Sequence, residues 1–185
     1  MATTRDRYST GSMILHWGIA LLVLLQVLLV TLAEANEGSV GREYIGLHKA
    51  VGMTILILTL VRIGWRLAHP VAPLPLAMPA WQTWIARITH VLFYAVLIGM
   101  PLGGWAASSA AGRDISWFGL FNWPLLPLPL DRALAGQFMD MHELAAKLLY
   151  VLIALHVLGA LKHAFTRGDN TLRRMVPFVP RKPVG

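Results

Sequence analysis

Cysteine is absent from all 185 residues of this chain. Its absence excludes disulfides, zinc–cysteine sites, iron–sulfur clusters, a thiol nucleophile and the C-x-x-C-H motif that attaches c-type haem. A metal or cofactor would therefore have to be held by histidine, methionine, carboxylate or backbone groups. The seven histidines are the main candidates for such a role.

Charge is also scarce, because only 14% of the residues are charged whereas 56% are hydrophobic. A soluble globular domain carries about 25% charged residues, so this composition indicates that lipid is the solvent for much of the chain. The length is typical of one domain, and we expect residues 1–185 to form a single transmembrane domain.

Four apolar segments are long enough to cross a membrane, which takes about 20 helical residues. The predicted helices cover 13–33, 47–67, 85–107 and 141–165, with an outer loop at 108–140. The fold class is thus an all-α bundle of four transmembrane helices. The first segment exceeds the apolar region of a cleaved signal peptide, and we expect it to be retained. The outer loop is rich in tryptophan and proline and is expected to fold over the outer face.

The net charge of +7 is a topology signal and does not indicate a nucleic-acid partner. If the N-terminus is cytoplasmic, 11 of the 16 basic residues fall on inner segments. This positive-inside bias predicts that both termini are cytoplasmic. After the fourth helix, Asp169-Asn170-Thr171 offers a helix N-cap, which predicts a short amphipathic helix on the inner membrane surface.

Four of the histidines form two pairs by their depth in the membrane. The fourth helix carries His142 near its outer end and His156 deeper, 14 residues apart, so both lie on one face about 21 Å from each other. The outer end of the second helix carries His48, at the level of His142. The inner end of the first helix carries His16, at the level of His156.

Two imidazoles from different helices at one depth are what a b-type haem needs, with a neutral nitrogen on each side of the iron. We therefore predict two haem b groups, with the His16/His156 and His48/His142 pairs as axial ligands of the iron. A small residue follows each histidine by one turn and leaves room for a flat macrocycle: Ala20, Gly52, Ala146 and Ala160. The alternatives are interhelical hydrogen bonding and small-residue packing. A metal channel is disfavoured by the lack of carboxylates between Glu43 and Asp114.

The remaining histidines are less constrained. His163 continues the ligand face below the inner pair, and with Lys162 it is a candidate to give a proton or hydrogen bond to a quinone carbonyl. The alternative is an interface histidine that reaches the lipid headgroups. His90 lies near the inner side, where no histidine is left over to pair with it, and is expected to serve a hydrogen bond or a quinone site. His69 is expected to be a loop residue.

Three basic residues near the predicted haems, Arg62, Arg66 and Lys49, are candidates to neutralise haem propionates by charge complementarity.

The chain resembles the bacterial cytochrome b561 family along nearly its whole length. The matching segments are Arg7-Tyr8-Ser9, Ile14-Leu15-His16-Trp17, Leu47-His48-Lys49 with Gly52, Met141-His142-Glu143, Ala154-Leu155-His156 and Leu161-Lys162-His163 leading to Asp169-Asn170-Thr171-Leu172. The resemblance implies a four-helix di-haem cytochrome of the bacterial inner membrane, with the four paired histidines as haem ligands. It also implies electron transfer to ubiquinone, with the quinone near the inner haem.

One branch of that family passes an electron from periplasmic superoxide to ubiquinone. Such an enzyme needs cations near the outer haem to steer an anion, yet the outer segments sum to −2. Local clustering of the outer cations would restore the attraction; these are Arg42, Lys49, Arg113, Arg132 and Lys147. An alternative is an electron-relay subunit that docks a periplasmic redox partner on the Trp-rich loop. A lesser alternative is a haem-free helical protein for transport or packing. The oligomeric state stays open.

Overall fold

The computed structural model describes residues 8–69, 80–165 and 175–176, and among these it has four long helices and one β-hairpin. The helices are α1 (Thr10–Ala35), α2 (Gly38–Ala68), α3 (Ala80–Ala110) and α4 (Arg132–Phe165). The hairpin strands are β1 (Ile115–Trp117) and β2 (Phe121–Trp123). Most of the proline-rich link before α3, and the amphipathic helix predicted after Asp169, lie outside the described residues.

All four helices are long and apolar enough to cross a membrane, which confirms the four-helix membrane fold. Each is longer than predicted, because hydropathy marks only the part of a helix that lies in hydrocarbon. The largest differences are at the starts of α2 and α4, which begin at Gly38 and Arg132 instead of residues 47 and 141. Asp131 caps the start of α4, since its Oδ1 accepts hydrogen bonds from the backbone N–H groups of Ala133 and Leu134 at 2.7 and 3.3 Å. The connection between α3 and α4 is correspondingly shorter than the predicted loop.

The bundle consists of two helical hairpins, since α1 packs chiefly along α2 and α3 along α4. Their facing sides form a shared apolar core that all four helices supply: Ile19, Val23, Leu29, Val51, Ile55, Val96, Leu149 and Leu152. We call the end where α1 begins and α4 finishes the terminal end. The opposite end, which carries the β-hairpin, is the hairpin end.

The terminal end is closed by contacts between α1 and α2. The indole Nε1 of Trp65 donates a hydrogen bond to Ser9 Oγ at 2.9 Å. Gly11 lies directly against the Trp65 ring, and a side chain at that position would overlap it. His69 is the C-cap residue of α2, and its ring stacks on Trp65 with 4.3 Å between centroids. The terminal residues of α1 and α2 are thereby fixed to each other.

The β-hairpin packs on the side of α2, near the middle of that helix. Ile115 is almost fully buried in a small cluster with Met53 and Leu56. The indole Nε1 of Trp117 donates to Thr54 Oγ1 at 3.0 Å. Thr54 lies six residues beyond His48 toward the terminal end, about 9 Å along the axis. The loop therefore descends along the flank of the bundle, whereas the sequence predicted a cover over its outer face.

Hydrogen bonds to backbone groups hold the turn of this β-hairpin and the chain that leads on to α4. Phe118 and Gly119 both have positive φ, 52° and 76°, and the N–H of Leu120 donates to Trp117 O at 3.0 Å. Ser109 Oγ donates to Trp105 O at 2.8 Å and accepts from Leu126 N at 3.0 Å. The loop is thus attached to both α2 and α3.

We expect Ile115→Ala to lower the apparent unfolding temperature of the detergent-solubilised protein. The substitution leaves a cavity against α2, which costs about 2–4 kcal/mol in well-packed cores. The matched control is Leu120→Ala on the same hairpin, because Leu120 is 74% exposed. Equal thermal shifts in the two variants would contradict the docking of the hairpin on α2.

Candidate functional site

Two histidine pairs bridge the two helical hairpins. The ring centroids of His16 on α1 and His156 on α4 are 6.2 Å apart, with an angle of 71° between the ring planes. Those of His48 on α2 and His142 on α4 are 6.1 Å apart, at 68°. Each pair therefore joins one histidine of the α1–α2 hairpin to one of α4, as the depth argument predicted.

The spacing within each pair fits one metal ion between two imidazoles. A metal–imidazole nitrogen bond is about 2 Å long, and the nitrogen is about 1 Å from its ring centre, which places the two centres about 6 Å apart. Packed aromatic rings alone span about 4.5–7 Å, so the fit is necessary for iron ligation and not sufficient by itself. Within the described residues, no group of three or more His, Asp or Glu side chains is arranged to hold a metal ion.

At the hairpin-end pair, one ring nitrogen of His142 lies within hydrogen-bond distance of α3. Its Nδ1 is 2.8 Å from the backbone oxygen of Met100. With the proton on Nδ1, the ring donates this bond and leaves Nε2 free as a ligand, which is the usual arrangement at metal-bound histidines. Gly104 on α3 lies against the same ring, and a Cβ there would be 3.3 Å from His142 Nδ1. The missing side chain lets α3 approach close enough to make the bond.

The other member of this pair, His48, is held through α1. The side-chain Nε2 of Gln26 donates to the backbone oxygen of His48 at 3.0 Å. Gln26 occupies the space beside Gly52, because a Cβ on that glycine would be 3.1 Å from Gln26 Nε2. The prediction that Gly52 leaves room for a macrocycle is therefore wrong: its missing side chain accommodates an amide. No sequence pattern pointed to this contact, because Gln26 is a single polar residue within the apolar run of α1.

At the terminal-end pair, His90 lies beside His156, so three histidines share this level where the sequence predicted only a pair. Its ring centroid is 5.9 Å from that of His156, which also packs edge-on against Phe93 at 5.4 Å. The sequence placed His90 near the inner side and left it unpaired, because His16 and His156 were already assigned to each other. Because α3 begins at Ala80, His90 lies ten residues from the terminal end of its helix, as deep as His156 in α4.

Cationic side chains lie near the terminal-end pair. Arg62 Nη1 donates to the backbone oxygen of Ser12 at 2.8 Å, which fixes the guanidinium beside α1. From there its positive charge acts on His16 and on His156. The neighbouring Arg66 acts on His90. These positions suit the predicted pairing of Arg62 and Arg66 with haem propionates.

A second cationic group lies beside the hairpin-end pair. Lys49, which follows His48 directly, is half-buried and within electrostatic range of Arg113 and Asp114 at the base of the β-hairpin. The long loop thus places Arg113 near α2, the helix that carries His48. With Asp114 included, these three groups carry a net charge of +1, whereas the outer segments as a whole sum to −2.

The predicted quinone residues are only partly described. Lys162 lies at the terminal end of α4, with its Nζ 5.3 Å from the ring centre of Trp81. His163 belongs to α4, but its side chain lies outside the described residues. The structure therefore brings Lys162 to the start of α3 and leaves the role of His163 as a prediction.

Both tryptophans of the long loop, Trp117 and Trp123, pack against the cluster of Met53, Leu56 and Ile115. Trp117 bonds to Thr54, and the Nε1 of Trp105, on α3, donates to Pro124 O of the loop at 2.9 Å. The large side chains that the loop exposes are mainly aliphatic or phenyl groups: Phe118, Leu120, Phe121, Leu125 and Leu130. A redox partner would meet these apolar groups and not a surface of exposed indoles.

A cleft with a volume of about 630 Å³ runs between α3 and α4 beside His142. Small residues of α3 line one wall, among them Gly99, Gly103 and Ala106. Leu126 of the loop contributes to the lining as well. The hairpin-end pair thus has free apolar space on its α3–α4 side.

We expect Gly104→Ala to weaken haem binding at the hairpin-end pair, because the added methyl group must displace the His142 ring. Overpacking of this kind costs about 1–3 kcal/mol, equivalent to about 5- to 150-fold in affinity. The measurement is the rate at which the purified protein loses haem to an excess of a haem-scavenging protein. The control is Gly99→Ala on the same helix, where a Cβ meets nothing within 4 Å. Identical haem loss from both variants would contradict the role given to Gly104.

Comparison with known proteins identifies the family. Residues 7–178 match the profile of the prokaryotic cytochrome b561 family. Cytochrome b561 homolog 2 of Escherichia coli (strain K12) is 32% identical over 182 residues, which covers 94% of this chain and 93% of that protein. The probable superoxide oxidase CybB of Yersinia pestis is 31% identical over 175 residues, covering 92% and 96%. Cytochrome b562 of Cereibacter sphaeroides is 29% identical over 180 residues, covering 94% and 98%.

With the match extending over nearly the entire sequence and four helices able to span a membrane, this chain belongs to the prokaryotic cytochrome b561 family of membrane electron-transfer proteins that bind b-type haem.

Proposed function

We propose that this protein carries single electrons between a donor at the hairpin end and ubiquinone at the terminal end, through two haem b groups. The observation that supports this most is the pair of imidazole–imidazole spacings near 6 Å, at two depths of one helix. His142 and His156 lie 14 residues apart on α4, so the two sites would be stacked across the membrane.

In this proposal each haem b is held by two imidazoles, His16 with His156 and His48 with His142. Haem b, when bound, supplies a centre that accepts and gives one electron. Because both axial positions would be taken by protein nitrogens, the proposal favours outer-sphere electron transfer over oxygen binding. The Arg62 guanidinium beside the terminal-end pair would balance propionate charge there, and its positive charge favours the reduced state.

The proposed location is the bacterial inner membrane, with both termini in the cytoplasm. Support comes from the excess of basic residues on the segments that would then be cytoplasmic. In this orientation the hairpin end faces the periplasm. Membrane lipid surrounds the exposed apolar faces of the helices, for example at Leu21, Leu24 and Leu158.

Superoxide is the donor that we propose, which makes the protein a superoxide:ubiquinone oxidoreductase. Lys49 and Arg113 give the approach to the hairpin-end pair a local positive charge, which attracts an anion. A relative that is 31% identical carries the description probable superoxide oxidase. Each superoxide gives up one electron and leaves as dioxygen. Two superoxides and two protons are therefore needed to reduce one ubiquinone to the quinol.

The protons would reach the quinone at the terminal end. His163 and Lys162 are the residues that we propose for this role, because both lie on the last turns of α4 below His156. The ammonium group of Lys162 faces the Trp81 ring, which holds it at the start of α3. The alternative function, an electron relay for a periplasmic protein, has less support because the loop tryptophans Trp117 and Trp123 are engaged in packing.

The double variant with Lys49→Gln and Arg113→Gln removes both positive charges. It should reduce ubiquinone with superoxide about tenfold or more slowly at low ionic strength, because electrostatic steering is lost. The rate is measured with the purified protein, enzymatically generated superoxide and a soluble quinone. Added salt should slow the wild type and leave the double variant nearly unchanged.

The control for this experiment is Arg42→Gln, which removes an exposed positive charge from the same end of α2. If the double variant reduces quinone at the wild-type rate, superoxide is not steered by these cations. If the wild type does not reduce quinone with superoxide at all, the relay function takes its place.

His156→Leu should remove one haem per chain and leave the other, because only the terminal-end pair loses a ligand. Haem content and the reduced-minus-oxidised spectrum of the purified variant check this. The control is His69→Ala, which changes the capping histidine of α2 and should keep both haems. Retention of both haems by the His156 variant would show that the proposed pairing is incorrect.

A further inference from the structure

Gln26 follows His16 by ten residues on α1, and this distance along the helix places it at the hairpin-end histidine pair. Its amide nitrogen donates to the backbone oxygen of His48 at 3.0 Å, and that bond decides which end of the amide faces His48 O. The amide also fills the space that Gly52 leaves on α2. The side chain is therefore held in one place, between two helices.

Two buried polar atoms of these same residues are unsatisfied. Among the described residues, neither Gln26 Oε1 nor His48 Nδ1 has a hydrogen-bond partner. A buried polar atom without a partner is costly, and each such atom in a native fold needs an explanation. The two atoms are complementary, because an amide oxygen only accepts hydrogen bonds and an imidazole N–H donates one.

We propose that Gln26 is a positioning residue for His48: its Oε1 accepts the hydrogen bond of His48 Nδ1–H, directly or through one buried water, when His48 Nε2 holds haem iron. The inference rests on the proposed function, since it assigns Nε2 to the iron. It satisfies both unpaired atoms at once, and a polar site with two partners of this kind is suited to one ordered water.

The bond would do more than hold the ring. An acceptor on the far nitrogen fixes the tautomer of a metal-bound imidazole and makes it a stronger electron donor to the metal. At His142 the corresponding acceptor is the backbone oxygen of Met100, which no side-chain substitution removes. At His48 the proposed acceptor is a side chain, so its contribution to the potential of this haem can be tested by mutation.

The test is a redox titration of the full-length protein with both haems bound, followed optically and by electron paramagnetic resonance. Gln26→Glu places a stronger acceptor at the same position, and should lower the midpoint potential of the hairpin-end haem. Gln26→Leu removes the acceptor and should raise that potential. The terminal-end haem should keep its potential in both variants. The matched control is Thr31→Val on α1, whose hydroxyl bonds only within its own helix in the described structure, to Val27 O.

Opposite signs of the two shifts are the decisive result. Shifts in the same direction would assign the effect to altered packing and overturn the proposal. Unchanged potentials would also overturn it, and would assign the His48 bond to the backbone of Gln26, which likewise faces the imidazole. If Gln26→Leu does not retain the haem, Gln26→Glu decides alone: an unchanged or raised potential contradicts the inference. A wild-type protein without haem would instead refute the proposed function.

Discussion

The arrangement of this protein depends on the need to satisfy imidazole nitrogens inside a membrane, where an unpaired polar group is costly. α4 carries two of these imidazoles on one face, and each meets a histidine of the opposite helical hairpin. Because α1 packs mainly with α2 and α3 with α4, the two hairpins can lie apart where the histidines face each other. The histidine pairs therefore lie between the two helical hairpins, whereas the tightest helix contacts lie within each helical hairpin.

The two histidine pairs have different surroundings. At the hairpin end, neutral groups of Met100 and Gln26 contact the two histidines. At the terminal end, the cation of Arg62 and the rings of His90 and Phe93 lie beside the pair. Each pair also has a cation close by, Arg62 at the terminal end and Lys49 at the hairpin end, and a nearby positive charge stabilises an added electron at either site.

The sequence predicted the features that follow from periodicity and composition. Four apolar segments became four helices, and the 14-residue separation on α4 was enough to pair the histidines by depth. Helix ends were less predictable, because they depend on single caps such as Asp131 and not on hydropathy. Pairing by depth used each histidine once, so it left out His90, which lies beside His156 as a third imidazole.

Contacts between distant segments could not be found from one sequence. Nothing in the pattern links Gln26 to His48, or Arg113 to Lys49, because these pairs form only when α1 and the β-hairpin pack on α2. Gly52 illustrates the same limit, since a small residue one turn after a histidine suits either a macrocycle or a neighbouring side chain. In the structure, the space beside Gly52 is occupied by the side chain of Gln26.

The proposed function requires that each chain holds two haem b groups, one between the two histidines of each pair. The most direct measurement is the haem content of the purified protein by a pyridine haemochrome assay, combined with its reduced-minus-oxidised spectrum. We predict two b-type haems per chain, with a low-spin spectrum in both oxidation states that reflects two nitrogen ligands on each iron. One haem per chain, or a high-spin spectrum that indicates an open iron position, would contradict the account.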